Sequence, residues 1–353
     1  MTDAVLRIGL VGYGFGGRYF HAPLIASTPG CALVGVVSRS PDRRAEVARD
    51  HPGVPVYDSI EDLAAAGVDA VTVSTPAATH TALTEDLLRR GLPVVCDKPF
   101  ALDAPTARQT IELAEREGVL LSPYQNRRWD SDLLTLRRLI DAGRLGEVRR
   151  FESAFERWAG QPEPGPAGGG LLRDFGSHLV DQALHLFGPV GRVYAETHEV
   201  RPEAEDDFLV LLQHTNGVRS HLVGAWRQSA PGARFRVSGS EASFVVTSPM
   251  DGQEAALVAG RNPSSEGADW GRETPEAWGT LHRGTEREVV PSERGRWDQF
   301  YEQFAGAVRG TGPVPVDPWD AVATATVLDA ARRSAAQGTT VEVLATTRPE
   351  SRP

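Results

Sequence analysis

Cysteine is nearly absent from this 353-residue chain, which carries only Cys31 and Cys96. Two thiols build neither a disulfide framework nor a four-ligand zinc set, so both read as small core residues. Long apolar runs are missing too. None approaches the roughly 18 residues of a membrane span, which argues against membrane insertion. The start, Met1 to Arg7, is acidic early and enters an apolar run at once. A signal peptide begins basic and then turns apolar, so a cytoplasmic location is expected. Positive charge is in deficit, with 37 basic residues against 47 acidic ones for a net charge of −10. That balance argues against nucleic acid as a partner, while a local arginine cluster can still hold one phosphate. What is present, 41% apolar and 24% charged residues, describes a globular chain with material for about two domains of roughly 150 residues each.

The first third alternates short apolar runs (6–11, 32–38, 54–57, 70–74, 92–96 and 119–122) with helical patterns starting near 16, 41, 80 and 104. Such runs between amphipathic helices predict a parallel, doubly wound sheet. After residue 122 the rhythm changes. A helix (130–142), a strand (147–155), a Gly/Pro-rich loop (160–170) and a helix (175–187) are followed mostly by strands to about 290. A polar surface loop is expected over 266–274, and helices over 297–309 and 318–336. Strands such as 219–224 and 234–239 carry polar residues on one side, which predicts an antiparallel or mixed sheet with one wetter face. No internal repeat occurs. The expected fold class is α/β: a Rossmann dinucleotide-binding domain over 1–122, then an α+β domain over 123–353, whose helix 318–336 can return to pack on the first domain.

Gly12-Tyr13-Gly14-Phe15-Gly16-Gly17 follows the first strand and opens a helix. Gly12, Gly14 and Gly17 then serve the tight turn, close approach of a pyrophosphate and helix-strand packing. The anion would rest on helix amides at the positive end of the dipole. At the second strand's tip stand Ser38 and Arg39, with Arg43 and Arg44 in the following turn and no acid in the position where NAD sites hold one. Arginine forks suit a 2′-phosphate, so NADP(H) is preferred over NAD(H), with a solvated helix start as the alternative for Arg43 and Arg44. At the fourth strand's end, Ser74, Thr75, Pro76 and His80 are candidate contacts to the nicotinamide ribose. His80 could instead simply begin a helix.

Asp97-Lys98-Pro99 follows the run 92–96, placing a lysine where a buried strand ends and ligands bind. Further on, Asp174, His178, Asp181 and His185 are spaced to share one helical face. His178 is the expected catalytic group, His185 the expected structural one, and Asp181 an anchoring carboxylate. A metal reading of this stripe lacks a third ligand, so no metal is expected.

With these motifs the chain resembles the Gfo/Idh/MocA family of NAD(P)-dependent oxidoreductases over nearly its whole length. Within it, the likeness is greatest to the NADP-dependent scyllo-inositol dehydrogenase group, through Phe20-His21-Ala22-Pro23-Leu24, Asn126-Arg127-Arg128-Trp129-Asp130, the stretch from Asp181 to Gly188, and Asp251-Gly252-Gln253-Glu254. The resemblance implies an open, mostly antiparallel second sheet, a site in the cleft between domains, and Lys98, Asp174 and His178 as the catalytic trio. It also implies a cis Lys98–Pro99 step and self-association, as homodimer or homotetramer, through the exposed sheet face. Asp97 stands where the family has Glu, and the segment 156–170 departs from the related dehydrogenases, so one substrate-facing wall differs.

The implied reaction interconverts a secondary alcohol of a cyclic, inositol-like polyol or sugar with its ketone by hydride transfer. His178, at an ordinary pKa of about 6.5, would take the hydroxyl proton, and Lys98 would stabilise the oxygen. Asp174 would orient His178 or bind a neighbouring hydroxyl. Asp97 and Asn126 join the cofactor candidates, and Tyr124, Arg127 and Trp158 the substrate wall. Two alternatives stay open: a catalytically silent NAD(P)-sensing regulator with a protein partner, and a dehydrogenase of a sugar phosphate or nucleotide sugar that uses Arg127, Arg128 and Arg157.

Overall fold

A computed structural model of the protein describes residues 5–158, 170–201, 204–250 and 252–344. The expected Gly/Pro-rich loop over 160–170, apart from Gly170, and Asp251 lie outside the described residues. Six strands, β1 (Leu6–Val11), β2 (Cys31–Val37), β3 (Val56–Tyr57), β4 (Ala70–Val73), β5 (Val94–Cys96) and β6 (Leu121–Pro123), form one sheet in the order β3-β2-β1-β4-β5-β6. Every pairing in it is parallel. Its central strands are covered on both faces, and β4 and β5 are buried at each position. This is why they read as unbroken apolar runs. The order reverses between β1 and β4, which opens a crevice at their carboxyl ends.

The second sheet has nine strands: β7 (Val148–Glu156), β8 (Val190–Arg201), β9 (Ala204–His214), β10 (Arg219–Ala225), β11 (Phe235–Gly239), β12 (Ser243–Val246), β13 (Gly279–Arg283), β14 (Glu286–Val290) and β15 (Val341–Glu342). Their order is β14-β13-β12-β11-β7-β10-β9-β8-β15. All neighbours are antiparallel except β7 and β10. One face packs on the helices Leu171–Phe187 and Pro318–Gln337 in a single core that includes Phe151, Leu179, Phe208 and Leu328.

Between β12 and β13 the expected strands give way to short helices, Gln253–Val258 and Pro263–Glu266, the latter started by an Asn262 capping box. The polar stretch expected as a surface loop hides Trp270, only 1% exposed, in the core of the first domain. A lone aromatic in a polar run has no periodicity to announce its burial. Trp297, Phe300, Tyr301 and Phe304, from the start of helix Asp298–Val308 and along it, enter that same core beside Ile8 and Leu10. The chain therefore returns to the first domain. Helix Pro318–Gln337 then joins a third core, built on the first sheet with Val11, Val71 and Val94, to the core of the second sheet, with Trp319 and Val322 in the former and Val327 and Leu328 in the latter. The Trp319 indole donates to Glu115 at 2.9 Å, and Asp329 accepts from the Ala104 amide at 2.9 Å. Among the described residues no helix is long and apolar enough to cross a membrane.

Candidate active site

The glycine turn between β1 and the following helix has three distinct environments. Gly12 has φ +97°, and a Cβ there would lie 2.2 Å from the Ser74 carbonyl. At Gly17 a Cβ would meet the Gly12 carbonyl at 2.3 Å, so helix and strand approach too closely for any side chain. A Cβ at Gly14 would meet nothing within 4 Å. That open face is the room a pyrophosphate needs, and these residues fit a dinucleotide. Tyr13 is a correction: its side chain is 2% exposed and its hydroxyl donates to Asp50 at 3.3 Å, leaving only its backbone for a cofactor. Phe15, by contrast, is 53% exposed.

At the tip of β2, Arg39 is exposed, with its Nε donating to the Asp58 carbonyl at 3.2 Å. Helix Pro41–Asp50 starts on Ser40, whose hydroxyl caps the Arg43 amide. Arg43 pairs with Glu46 at 2.7 Å, and Arg44 pairs with Asp58. Ser38, Arg39, Arg43 and Arg44 thus cluster near one helix N-terminus, a setting for an anion.

Beyond β4 and β5 the loops are laced together. The Ser74 hydroxyl donates to Asp97 Oδ2 at 2.8 Å, and the Lys98 amide donates to Asp97 Oδ1 at 2.8 Å. His21 lies 3.3 Å from the same carboxylate and 2.7 Å from the Tyr301 hydroxyl. Burial works against the charge of Asp97, yet His21, His80 and Lys98 hold its carboxyl well below the usual carboxylate range. The Lys98–Pro99 peptide is cis. His80 is a second correction. Its ring is buried, Nδ1 lies 2.9 Å from the Pro99 carbonyl and Nε2 2.7 Å from the Thr75 carbonyl. Both nitrogens are spent tying the β4 and β5 loops together, so neither reaches a cofactor.

Helix Leu171–Phe187 brings the remaining groups. Asp174, on its first turn, accepts a hydrogen bond from Lys98 Nζ, and His178 sits one turn further on. Both line a cavity of about 290 Å³ with Lys98, Asp97, Tyr124, Asn126, Arg127 and Arg157. His178 is 4% exposed, and its Nδ1 has no hydrogen-bond partner among the described residues. Its pKa departs from the ordinary value assumed above: burial first, then the charges of Lys98, Arg127, Arg234 and Arg157, push it well below 6.5. That shift favours the neutral imidazole, the form that can accept a proton.

The rest of that helical stripe lies outside this cavity. Asp181 takes a bidentate pair from buried Arg128, at 2.8 and 2.6 Å, and His185 is an exposed neighbour of Arg137. Trp158 is a third correction: it is 65% exposed and lies outside the cavity. Along an extended chain, side chains alternate. Phe155 and Arg157 face the cavity, and Trp158 turns away.

Sequence reasoning missed Glu254 in the cavity lining and Arg234, which lies outside that lining and contributes charge near His178. Glu254 binds Arg157 at 2.7 Å and also pairs with Arg127. Arg234, 2% exposed, holds Gln182 at 2.9 Å and Asp132 at 3.1 Å. Only an unexpectedly buried arginine inside a strand pattern could have flagged the latter. One signal was available by counting: of the 37 basic residues, Lys98 is the single lysine.

Fold and site together define a two-domain oxidoreductase with an NAD-binding Rossmann domain. Residues 6–125 match the oxidoreductase family with NAD-binding Rossmann fold, and residues 133–245 match the GFO/IDH/MocA C-terminal domain. Among proteins it resembles is scyllo-inositol 2-dehydrogenase (NADP(+)) of Bacillus subtilis, 32% identical over 95% of each chain. D-apiose dehydrogenase of Paraburkholderia graminis is 27% identical over 97% of this chain and 91% of that one. A solved structure from Bacillus subtilis superposes with a TM-score of 0.90 at 31% identity, covering 98% of this chain and 100% of the other. The chain belongs to the Gfo/Idh/MocA family.

Proposed function

We propose that the protein is an NADP(H)-preferring dehydrogenase that interconverts a secondary alcohol of a neutral cyclic polyol or sugar with its ketone. The observation that carries this reading is the convergence of Lys98, Asp174 and His178 on one cavity beside the glycine turn. The cavity's three cations are matched by three carboxylates: Lys98 by Asp174, Arg157 by Glu254, and Arg127 by Asp130 as well as Glu254. Balanced charge favours a hydroxylated substrate over a phosphorylated one, which would need uncompensated cations. The two relatives named as dehydrogenases of scyllo-inositol and of D-apiose support the same class.

A bound nicotinamide dinucleotide supplies the hydride acceptor for oxidation and the donor for reduction. The protein's own residues manage the oxygen. Neutral His178 takes the hydroxyl proton as the C–O bond becomes a carbonyl, and returns it in reduction. Lys98 donates a hydrogen bond to that oxygen and stabilises its developing charge. Asp174 holds Lys98 in line. Ser38, Arg39 and Arg43 would bind a 2′-phosphate. Half-buried Leu209, Leu211 and Val223 lie on the second sheet's open face, which supports self-association there.

A panel of inositols, aldoses and their keto forms, assayed with NADP+ and NAD+ and their reduced forms, tests the reading. Turnover is expected to fall by about two to four orders of magnitude in Lys98→Met and in His178→Asn. No turnover with either cofactor across the panel overturns it.

A further inference from the structure

Past Arg157 and Glu254 the catalytic cavity adjoins a second chamber of about 380 Å³, and the two share Phe15, Phe155, Arg157 and Glu254. Their chemistry differs. The first holds Lys98, Asp174 and His178, whereas the second adds Pro249, Met250, Ala255 and Val258 around a single further charged residue, Glu156. Helix Gln253–Val258 spans the boundary. Glu254 lines both, and Val258, one turn along the same helical face, lines the second chamber alone.

Phe15 and Val258 are 53% and 45% exposed, among the few large apolar side chains left open to solvent. Two such side chains gathered at one concave wall mark a binding surface more strongly than the same residues scattered. No residue from the carboxyl ends of β4, β5 or β6 lines the chamber. A nicotinamide reacting beside Lys98 would occupy the first cavity and would leave the second to the substrate. We infer that the chamber is a subsite for an apolar substituent, and that the substrate class is a polyol or sugar ring carrying an alkyl or aryl group through a glycosidic or ether oxygen. The inference rests on the proposed polyol chemistry for the ring and on the chamber's lining for the substituent.

The test measures equilibrium binding by calorimetry in the presence of NADPH, with which an alcohol cannot react, and turnover separately with NADP+. The probes are methyl, propyl, butyl and hexyl β-D-glucopyranosides and the matching O-alkyl scyllo-inositols. In at least one series Kd is expected to fall by up to about three- to fourfold per added methylene. Val258→Asp and Met250→Asp, each at the chamber wall and away from the reacting atoms, should flatten that gradient while leaving the methyl compound's Kd unchanged. A flat series in both rings overturns the inference, as does a gradient that both variants retain. A gradient without oxidation supports the chamber and removes the proposed reaction. Oxidation of free polyols without a gradient supports the reaction and removes the chamber.

Discussion

His80 faces two carbonyl oxygens, and a neutral imidazole has only one N–H to offer them. Both contacts are hydrogen bonds only when the ring is an imidazolium. Burial opposes that charge, but Cys96, Asp97 and the Pro99 carbonyl raise its pKa to about 9. The folded value lies above the unfolded one of about 6.5, so the native state binds the extra proton between them. The resulting stabilisation, on the order of 3 kcal/mol, is complete below about pH 6.5 and lost as pH rises through the folded pKa. Thermal melts should therefore show wild-type Tm dropping more steeply than that of His80→Asn between neutral and alkaline pH; parallel slopes would refute the imidazolium. His178 has the opposite sign. Its depressed pKa places the acid limb of kcat/KM for alcohol oxidation below pH 6.5. Arg157→Gln removes a nearby positive charge, which makes imidazolium easier to form, so pH profiles of this variant should show the limb moved to higher pH.

The glycine turn and helix Leu171–Phe187 separate what an element does for the fold from what it does for a ligand. Gly14→Ala adds a methyl where nothing lies within 4 Å, so Tm should hold while the dinucleotide Kd, read by fluorescence titration, worsens at least about tenfold through lost backbone approach. Gly17→Ala drives a methyl to 2.3 Å from the Gly12 carbonyl and should lower Tm whether or not cofactor is present. In the helix, Asp181→Asn leaves buried Arg128 short of a full counter-charge, with Asp320 at 2.9 Å as its remaining carboxylate. Chemical denaturation should show a loss of up to about 3 kcal/mol, the scale of a broken buried pair. These elements were legible for physical reasons. Strands buried on both faces read as apolar runs, a glycine turn is local, and residues spaced by helical turns share a face. The pairing of Arg127 and Arg157 with Glu254 was harder, because it depends on bringing the short helix Asn126–Trp129, the end of β7 and the helix Gln253–Val258 together, and local sequence carries no trace of that contact. Trp158 failed for a related reason: its direction depends on strand register, which chemistry at the residue level does not fix.

At the scale of the molecule, helix Pro318–Gln337 decides whether the protein has one stability or two. Separate domains commonly unfold in separate steps. Here Trp319 and Val322 complete the core on the parallel sheet, while Val327 and Leu328 complete the core on the nine-stranded one. Neither core can lose this helix alone. Trp297, Phe300 and Tyr301 add to the coupling, since they come late in the chain yet pack beside β1. Calorimetry of the wild type should accordingly show one transition. Dinucleotide contacts fall on the first domain, yet NADP+ at a hundred times its Kd should shift that whole transition, by the equivalent of about 2.7 kcal/mol. Trp319→Ala removes a 9%-exposed aromatic and its bond to Glu115, a loss of about 3–5 kcal/mol for a buried tryptophan. With the bridge weakened on one side only, two transitions should appear, and NADP+ should move the lower one alone. If both move together in the variant, the coupling runs through the 253–316 segment rather than through this helix, and the shared-helix account fails.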